Sequence, residues 1–328
     1  MTLPTRRATL ATALAVVAAG PAIRSASAQT WPGKTVRLIV PFPPGGATDS
    51  VARLIAERLA PRLGRAVVVE NKPGAATVIG VDAVAKSSPD GHTLLVSGAS
   101  SFTVVPALRD KLPFDVLKDL VPIALVTYAP LVLVTASSKP YRHLSDLVAH
   151  AKAKPKALTY CTYGPGTAPH LAAELLAHAA GVELEAIPYK GSADAVIGLV
   201  RGDVDMGVET LPAVNAHLTS GKLRALAVTG GKRTGFLPDT PGMEELHLPQ
   251  ASFEGFYAVA APAGTPTAVV QRLTREIGEI MALPEVKEKC AQLSLDAVSI
   301  GPEAMRAIME TDIGRFRELG QRIKINLD

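Results

Sequence analysis

The chain has 328 residues, 48% of them apolar and 4% aromatic, with 34 basic against 30 acidic side chains and a formal net charge of +4. Residues 1–28 hold Arg6, Arg7 and Arg24 and no acid, so without them the charge falls to +1. That near-neutral balance, with no basic cluster and few rings, excludes a nucleic-acid footprint, and the remaining length suffices for a large core in one or two domains.

The N-terminal segment reads as an export signal. Arg6 and Arg7 form its charged start, Ala8 to Gly20 is an apolar run too short to span a bilayer, and Ala26-Ser27-Ala28 is a small-residue cleavage site before Gln29. Thr5-Arg6-Arg7 leaves Sec and twin-arginine export both open. Cys161 is the first cysteine, so no lipid anchor is expected at the cleavage point, and the mature protein should be soluble in the periplasm. Cys161 and Cys290 are expected as buried thiols on a strand and a helix, without a disulfide.

Val36, Leu38, Ile39 and Val40 predict a strand, Pro41 to Gly46 a tight loop, and Val51, Leu54, Ile55 and Leu59 a helix. Two glycines let backbone approach a ligand, and the helix aims its unpaired N–H groups and positive dipole end into the loop, which makes an anion seat. A strand over Ala66 to Glu70, a helix over Thr77 to Lys86 and a strand over His92 to Ser97 follow. Phe102 to Leu120 is irregular. Ile123 to Thr135 is a long apolar run broken by Pro130.

A second corner of the same kind comes next. Leu158 to Thr162 is a strand, Tyr163-Gly164-Pro165-Gly166-Thr167-Ala168-Pro169-His170 the turn, and Leu171, Leu175 and Leu176 mark the helix. Thr167 suits an N-cap and Pro169 the first helical turn. Neither corner contains Lys or Arg, so a bound carboxylate would meet backbone amides and hydroxyls. Further strand and helix alternation to Thr229, then Phe253 to Ala261 and helices over Val269 to Met281 and Pro302 to Ile323, predict an α/β fold with largely parallel sheets. If both long apolar runs cross between lobes, lobe 1 takes residues 29–126 and 251–328, and lobe 2 takes residues 127–250.

In this order, VRLIVPFPPGGATDSVAR, VENKPGAATVIGVDAVAKSSPDGHTLL, LPFDVLKDLVPIALV, YGPGTAPHLAAELL, IPYKGSADAVIGLVRGDVDMGVETLP and GKLRALAVT resemble the substrate-binding proteins of tripartite tricarboxylate transporters, the TctC/Bug family. The resemblance spans essentially the whole mature chain. It implies a two-lobed periplasmic-binding-protein fold of type II-like design, each lobe a doubly wound sheet, that closes on a small carboxylate and passes it to membrane permease subunits. By position it implies a first-lobe seat of Phe42, Pro44, Gly45, Gly46, Ala47, Thr48 and Asp49. The second-lobe seat would be Tyr163, Gly164, Gly166, Thr167, Ala168 and His170, joined by Tyr189, Lys190, Glu209 and Thr210. Pro165, Val78 and Val105 stand where the family often has Asn, and Phe102 where it often has His, which predicts a less polar pocket.

A carboxylate at Glu209 facing an anionic ligand needs compensation, so a cleft-lining Glu209 would call for a ligand with an ammonium or hydroxyl donor. His170 and Glu174 are spaced i, i+4, but two ligands without a third read as a local contact, not a metal site. No cofactor, no metal and a monomer are expected. Gly33-Lys34-Thr35 precedes its strand and is no P-loop, and no G-x-S-x-G elbow occurs. Two other classes stay open: a ligand-sensing subunit for a signalling receptor, and an exported α/β enzyme.

Overall fold

The computed structural model describes residues 31–323 and 325, and the export signal expected over residues 1–28 lies outside them. The described chain starts with β1 (Val36–Val40), α1 (Ala47–Leu63), β2 (Val67–Asn71), α2 (Val78–Ala85) and β3 (Thr93–Gly98). β1 is buried at four of its five positions, as a strand covered on both faces must be, and lies parallel to β2 and β3. Gly64 closes α1 with a left-handed φ of 65°, which glycine reaches without a Cβ clash.

Just before α2, Ala75, Ala76 and Thr77 have φ of 47°, 52° and 83°. Left-handed backbone at a non-glycine residue costs about 1–2 kcal/mol, so the surrounding structure must hold this turn in place. The helix expected from Thr77 therefore begins at Val78. After β3 the stretch without a clear pattern is a π-helical turn, Ser100–Val104, followed by α3 (Val105–Leu108) and α4 (Val116–Asp119). Thr103 Oγ1 donates to Ala99 O at 3.0 Å, and the Ser97 and Ser101 hydroxyls share a 2.6 Å bond. Such side-chain bonds compete with regular helix and blur its signature.

The apolar run over Ile123 to Thr135 is two strands, β4 (Leu120–Ala129) and β5 (Leu131–Ala136), which lie in different sheets. Pro130 between them has no N–H for a ladder, and its carbonyl accepts from Leu211 N at 2.8 Å. Then come α5 (Leu144–Ala153), β6 (Thr159–Thr162), α6 (Ala168–Ala180), β7 (Glu185–Pro188) and α7 (Ser192–Arg201). β8 (Met206–Thr210), α8 (Leu211–Thr219) and β9 (Leu223–Val228) complete the second sheet. The chain returns through β10 (Gly255–Pro262), α9 (Thr267–Ala282), α10 (Pro284–Gln292), β11 (Asp296–Ile300) and α11 (Pro302–Ile323).

The strand orders are β11-β4-β10-β3-β1-β2 and β7-β6-β8-β5-β9. Both sheets are mixed instead of largely parallel. β5, which brings the chain into the second sheet, and β10, which returns it to the first, run antiparallel to both their neighbours, whereas β1 with β2 and β3, and β6 with β7 and β8, are parallel. The two passages between lobes lie side by side: Thr229 N donates to Leu131 O at 2.9 Å, and Phe253 N to Thr229 O at 2.8 Å. A Cβ at Gly255 would meet Leu131 Cδ1 and come 2.6 Å from Ala129 O, so only glycine fits this crossing.

α9 buries Val269, Leu273, Ile277 and Ile280 on the first lobe, and α11 buries Met305, Met309, Ile313 and Phe316. One buried cluster joins Phe102 and Phe256 to Leu131, Leu171 and Leu175, so the lobes share core on one side of the crossing. Cys161 in β6 and Cys290 in α10 are buried and free, as expected. Among the described residues no helix is long and apolar enough to cross a membrane.

Candidate functional site

The first corner is braced from behind by Asp49. Its buried carboxylate accepts from Gly45 N at 3.0 Å, Arg53 Nε at 2.9 Å and Asn71 Nδ2 at 3.0 Å. Burial opposes the charge, yet the Arg53 guanidinium and the two N–H donors outweigh it and hold the carboxyl below its usual range. Gly45 sits at a φ of 87°, a conformation that favours glycine. The N-cap Gly46 has no side-chain cap, so the first-turn amides of α1 are left to whatever lies in front of them.

The second corner spends its amides on itself and on the other lobe. Thr167 N donates to Gly164 O at 3.3 Å, Gly166 N to His170 Nδ1 at 3.4 Å, and Ala168 N to the first-lobe hydroxyl Ser100 Oγ at 3.0 Å. Burial lowers His170 to about 4, which keeps its ring neutral and free to accept. Glu174 does not pair with His170; it accepts from Tyr160 OH at 2.5 Å. No group of three metal-ligating side chains occurs among the described residues.

A cavity of about 260 Å³ lies between the lobes. Of the residues expected to hold ligand, Phe42, Pro44, Gly46, Ala47 and Thr48 line it from the first lobe, and Tyr163, Ala168 and Thr210 from the second. Exposed Gly45 and buried Asp49, in the loop and first turn of α1, do not line it, and neither do Gly164, Gly166, Thr167 and His170 of the second corner. Tyr189 and Lys190 line a separate outer cleft, which shares Phe42, Pro43 and Tyr163 with the cavity. The Phe42 and Tyr163 rings, 6.4 Å apart and edge to face at 79°, divide the two spaces.

Sequence reasoning missed much of the wall, including Ser100 at the π turn, Leu131 on β5, Phe256 and Tyr257 on β10, and the start of α7 at Gly191, Ser192 and Asp194. Like α1, α7 begins at a glycine with no side-chain cap. Two bare helix starts from opposite lobes therefore open on one cavity, and among the described residues no Lys or Arg lines it. The signal was present, since Tyr189-Lys190 runs directly into Gly191-Ser192-Ala193-Asp194, a strand end, a glycine and a helical first turn with its acid. The Tyr257 hydroxyl lies near Thr48 and Thr210, and burial pushes it up to about 12. Phe102 and Val105 are fully buried and Val78 packs against the core, so these three departures from the family pattern do not make the pocket apolar; Phe42, Leu131 and Phe256 in the wall do.

Glu209 is fully buried and does not line the cavity, so the condition for expecting an ammonium ligand is not met. Its Oε2 accepts from Ser192 Oγ at 2.8 Å and from the Tyr163 hydroxyl, while Oε1 has no partner. Burial pushes the carboxyl up to about 8, outweighing the Tyr163 and Ser192 hydroxyls that favour its charged form. Between the ordinary value of 4.5 and about 8 the folded protein holds a proton that the unfolded chain has released, so stability falls as pH rises through that window and levels off above it. His170, depressed below 6.5, acts the other way and costs stability as pH falls. Thermal unfolding should show Tm declining from about pH 6.5 to 8, with Glu209→Gln flattening that decline.

Two lobes joined by paired crossings, with helix starts from both facing one cavity between them, define a solute-binding protein. The chain belongs to the tripartite tricarboxylate transporter family receptors, whose family profile matches residues 51–325. Protein BugT of Bordetella pertussis (strain Tohama I) is 40% identical over 303 residues, covering 91% of this chain and 93% of BugT. Among solved structures, R. palustris Rpa4515 with adipate superposes with a TM-score of 0.86 at 31% identity, over 90% of this chain and 99% of the other. MatC from Rhodopseudomonas palustris with bound malate gives 0.84 at 28%, over 88% and 99%. The periplasmic binding protein BugD gives 0.85 at 33%, over 90% and 99%. The family and these neighbours are solute-binding proteins, not enzymes.

Proposed function

We propose that this protein, exported to the periplasm, captures a small carboxylate with an apolar body and delivers it to the membrane permease of a tripartite tricarboxylate transporter. The observation that carries this reading is the pair of bare helix starts, α1 at Gly46 and α7 at Gly191, on one cavity without basic side chains. Each helix end contributes about 0.3–1 kcal/mol to holding an anion, up to ~2 when partly buried. Hydrogen-bond geometry therefore selects the carboxylate, with Thr48, Thr210 and Tyr257 supplying hydroxyls beside the amides. Phe42, Leu131 and Phe256 suit the rest of the ligand. Adipate and malate in two structural neighbours support the same chemical class.

Capture begins with the lobes apart and ends with Phe42 against Tyr163 and Pro43 against Gly191, which shuts the cavity from the outer cleft. A thermal-shift screen of adipate, benzoate, nicotinate, malate, citrate and glutamate tests the reading. Acids with an apolar body should raise Tm most, since ligand at 100 times Kd adds about 2.7 kcal/mol. No shift with any acid, or a shift with neutral or cationic solutes alone, would remove it.

A further inference from the structure

Glu209 is the penultimate residue of β8 and is buried beside the cavity, and the two hydroxyls that reach it, Ser192 and Tyr163, belong to residues that line the cavity. Both direct their hydrogens to Oε2, away from a ligand, and Oε1 has no partner. The groups around this carboxyl are Tyr163 on its loop, Cys161 on β6 and Tyr257 on β10, each kept neutral by burial, and Asp194 of α7 adds a further acid to the wall. Among the described residues no cation offsets an ionised Glu209. In that state Ser192 and Tyr163 offer lone pairs to the cavity, and a carboxylate ligand meets like charge without compensation.

Protonation reverses the wall. A neutral Glu209 donates its O–H to one of the two hydroxyl oxygens, and that hydroxyl turns its own hydrogen toward the cavity, where it donates to the ligand. We propose that Glu209 is a positioning residue whose neutral form is the one that captures a carboxylate, so that wherever the empty site has released this proton, capture takes one up from solvent. The coupling rests on the carboxylate reading above. With the empty-site carboxyl already near 8, uptake grows from that pH upward.

Calorimetry of adipate and benzoate on the full mature protein, from about pH 6 to 10 in buffers of different ionisation enthalpy, tests this. For a binding acid, Kd should be flat below about pH 7 and rise toward tenfold per unit above about pH 8, with proton uptake approaching one per ligand. Glu209→Gln should flatten the profile. A purely structural role would lower affinity equally at every pH, and the buffer dependence of the wild-type protein reads the coupling even if the variant does not fold. A flat wild-type affinity, or an unchanged slope in Glu209→Gln, overturns the coupling alone. Absence of binding by both acids removes the carboxylate reading, and the coupling falls with it.

Discussion

Gly191→Val is expected to weaken ligand binding by about two orders of magnitude, about 2.7 kcal/mol, while leaving each lobe folded. Gly191 is the N-cap of α7, and a Cβ there would lie 3.0 Å from Pro43 Cδ and 3.2 Å from Pro43 Cγ on the facing lobe. Its φ of 172° is extended backbone open to any residue, so the cost falls on closure and not on the helix. A proline ring cannot swing aside, and a branched side chain keeps α7 from reaching a ligand already held at α1. Gly191→Ala demands only a few tenths of an ångström from Pro43 and should cost far less. Calorimetry gives the affinity and denaturant unfolding the stability; wild-type affinity in Gly191→Val would show that the lobes need not meet at this point.

Asp49→Ala should cost about 3 kcal/mol of stability although Asp49 does not touch the cavity. The substitution strips a buried acceptor from three donors at once: Gly45 N, Arg53 Nε and Asn71 Nδ2. Asn71 also donates to Phe42 O at 3.1 Å, so the loop that carries Phe42 and Gly46 loses its brace, and affinity should fall at least tenfold. Because the carboxyl is held below its ordinary range, its contribution is present above that range and fades as pH falls through it. Urea unfolding at neutral and acid pH measures both effects, and a variant as stable as wild type at neutral pH would contradict this account of the loop.

Much of this fold is written locally. The βα units around α1 and α6 combine an apolar strand, a glycine-rich turn and 3.6-residue spacing, and each stands where those patterns place it. β11 escaped notice because it is an edge strand with no fully buried residue and so carries little apolar alternation. Sheet direction was not legible either, since nothing within β5 or β10 records which way its neighbours run. At the site, both corners could be read as helix starts, but which of them keeps its amides free depends on contacts across the lobes. Ser100 satisfies Ala168 N from 68 positions away, and that leaves α7 to face α1. Glu209 could be flagged as a costly charge, whereas its burial behind Ser192 and Tyr163 is a property of packing.

The most direct test of carboxylate capture by bare helix ends compares an acid with its own neutral amide, adipate against adipamide and benzoate against benzamide, by calorimetry near pH 7. If peptide N–H groups and hydroxyls in a wall without Lys or Arg recognise the anion, an acid should bind at least about 100-fold more tightly than its amide. Equal affinity for the two members of each pair would contradict the account.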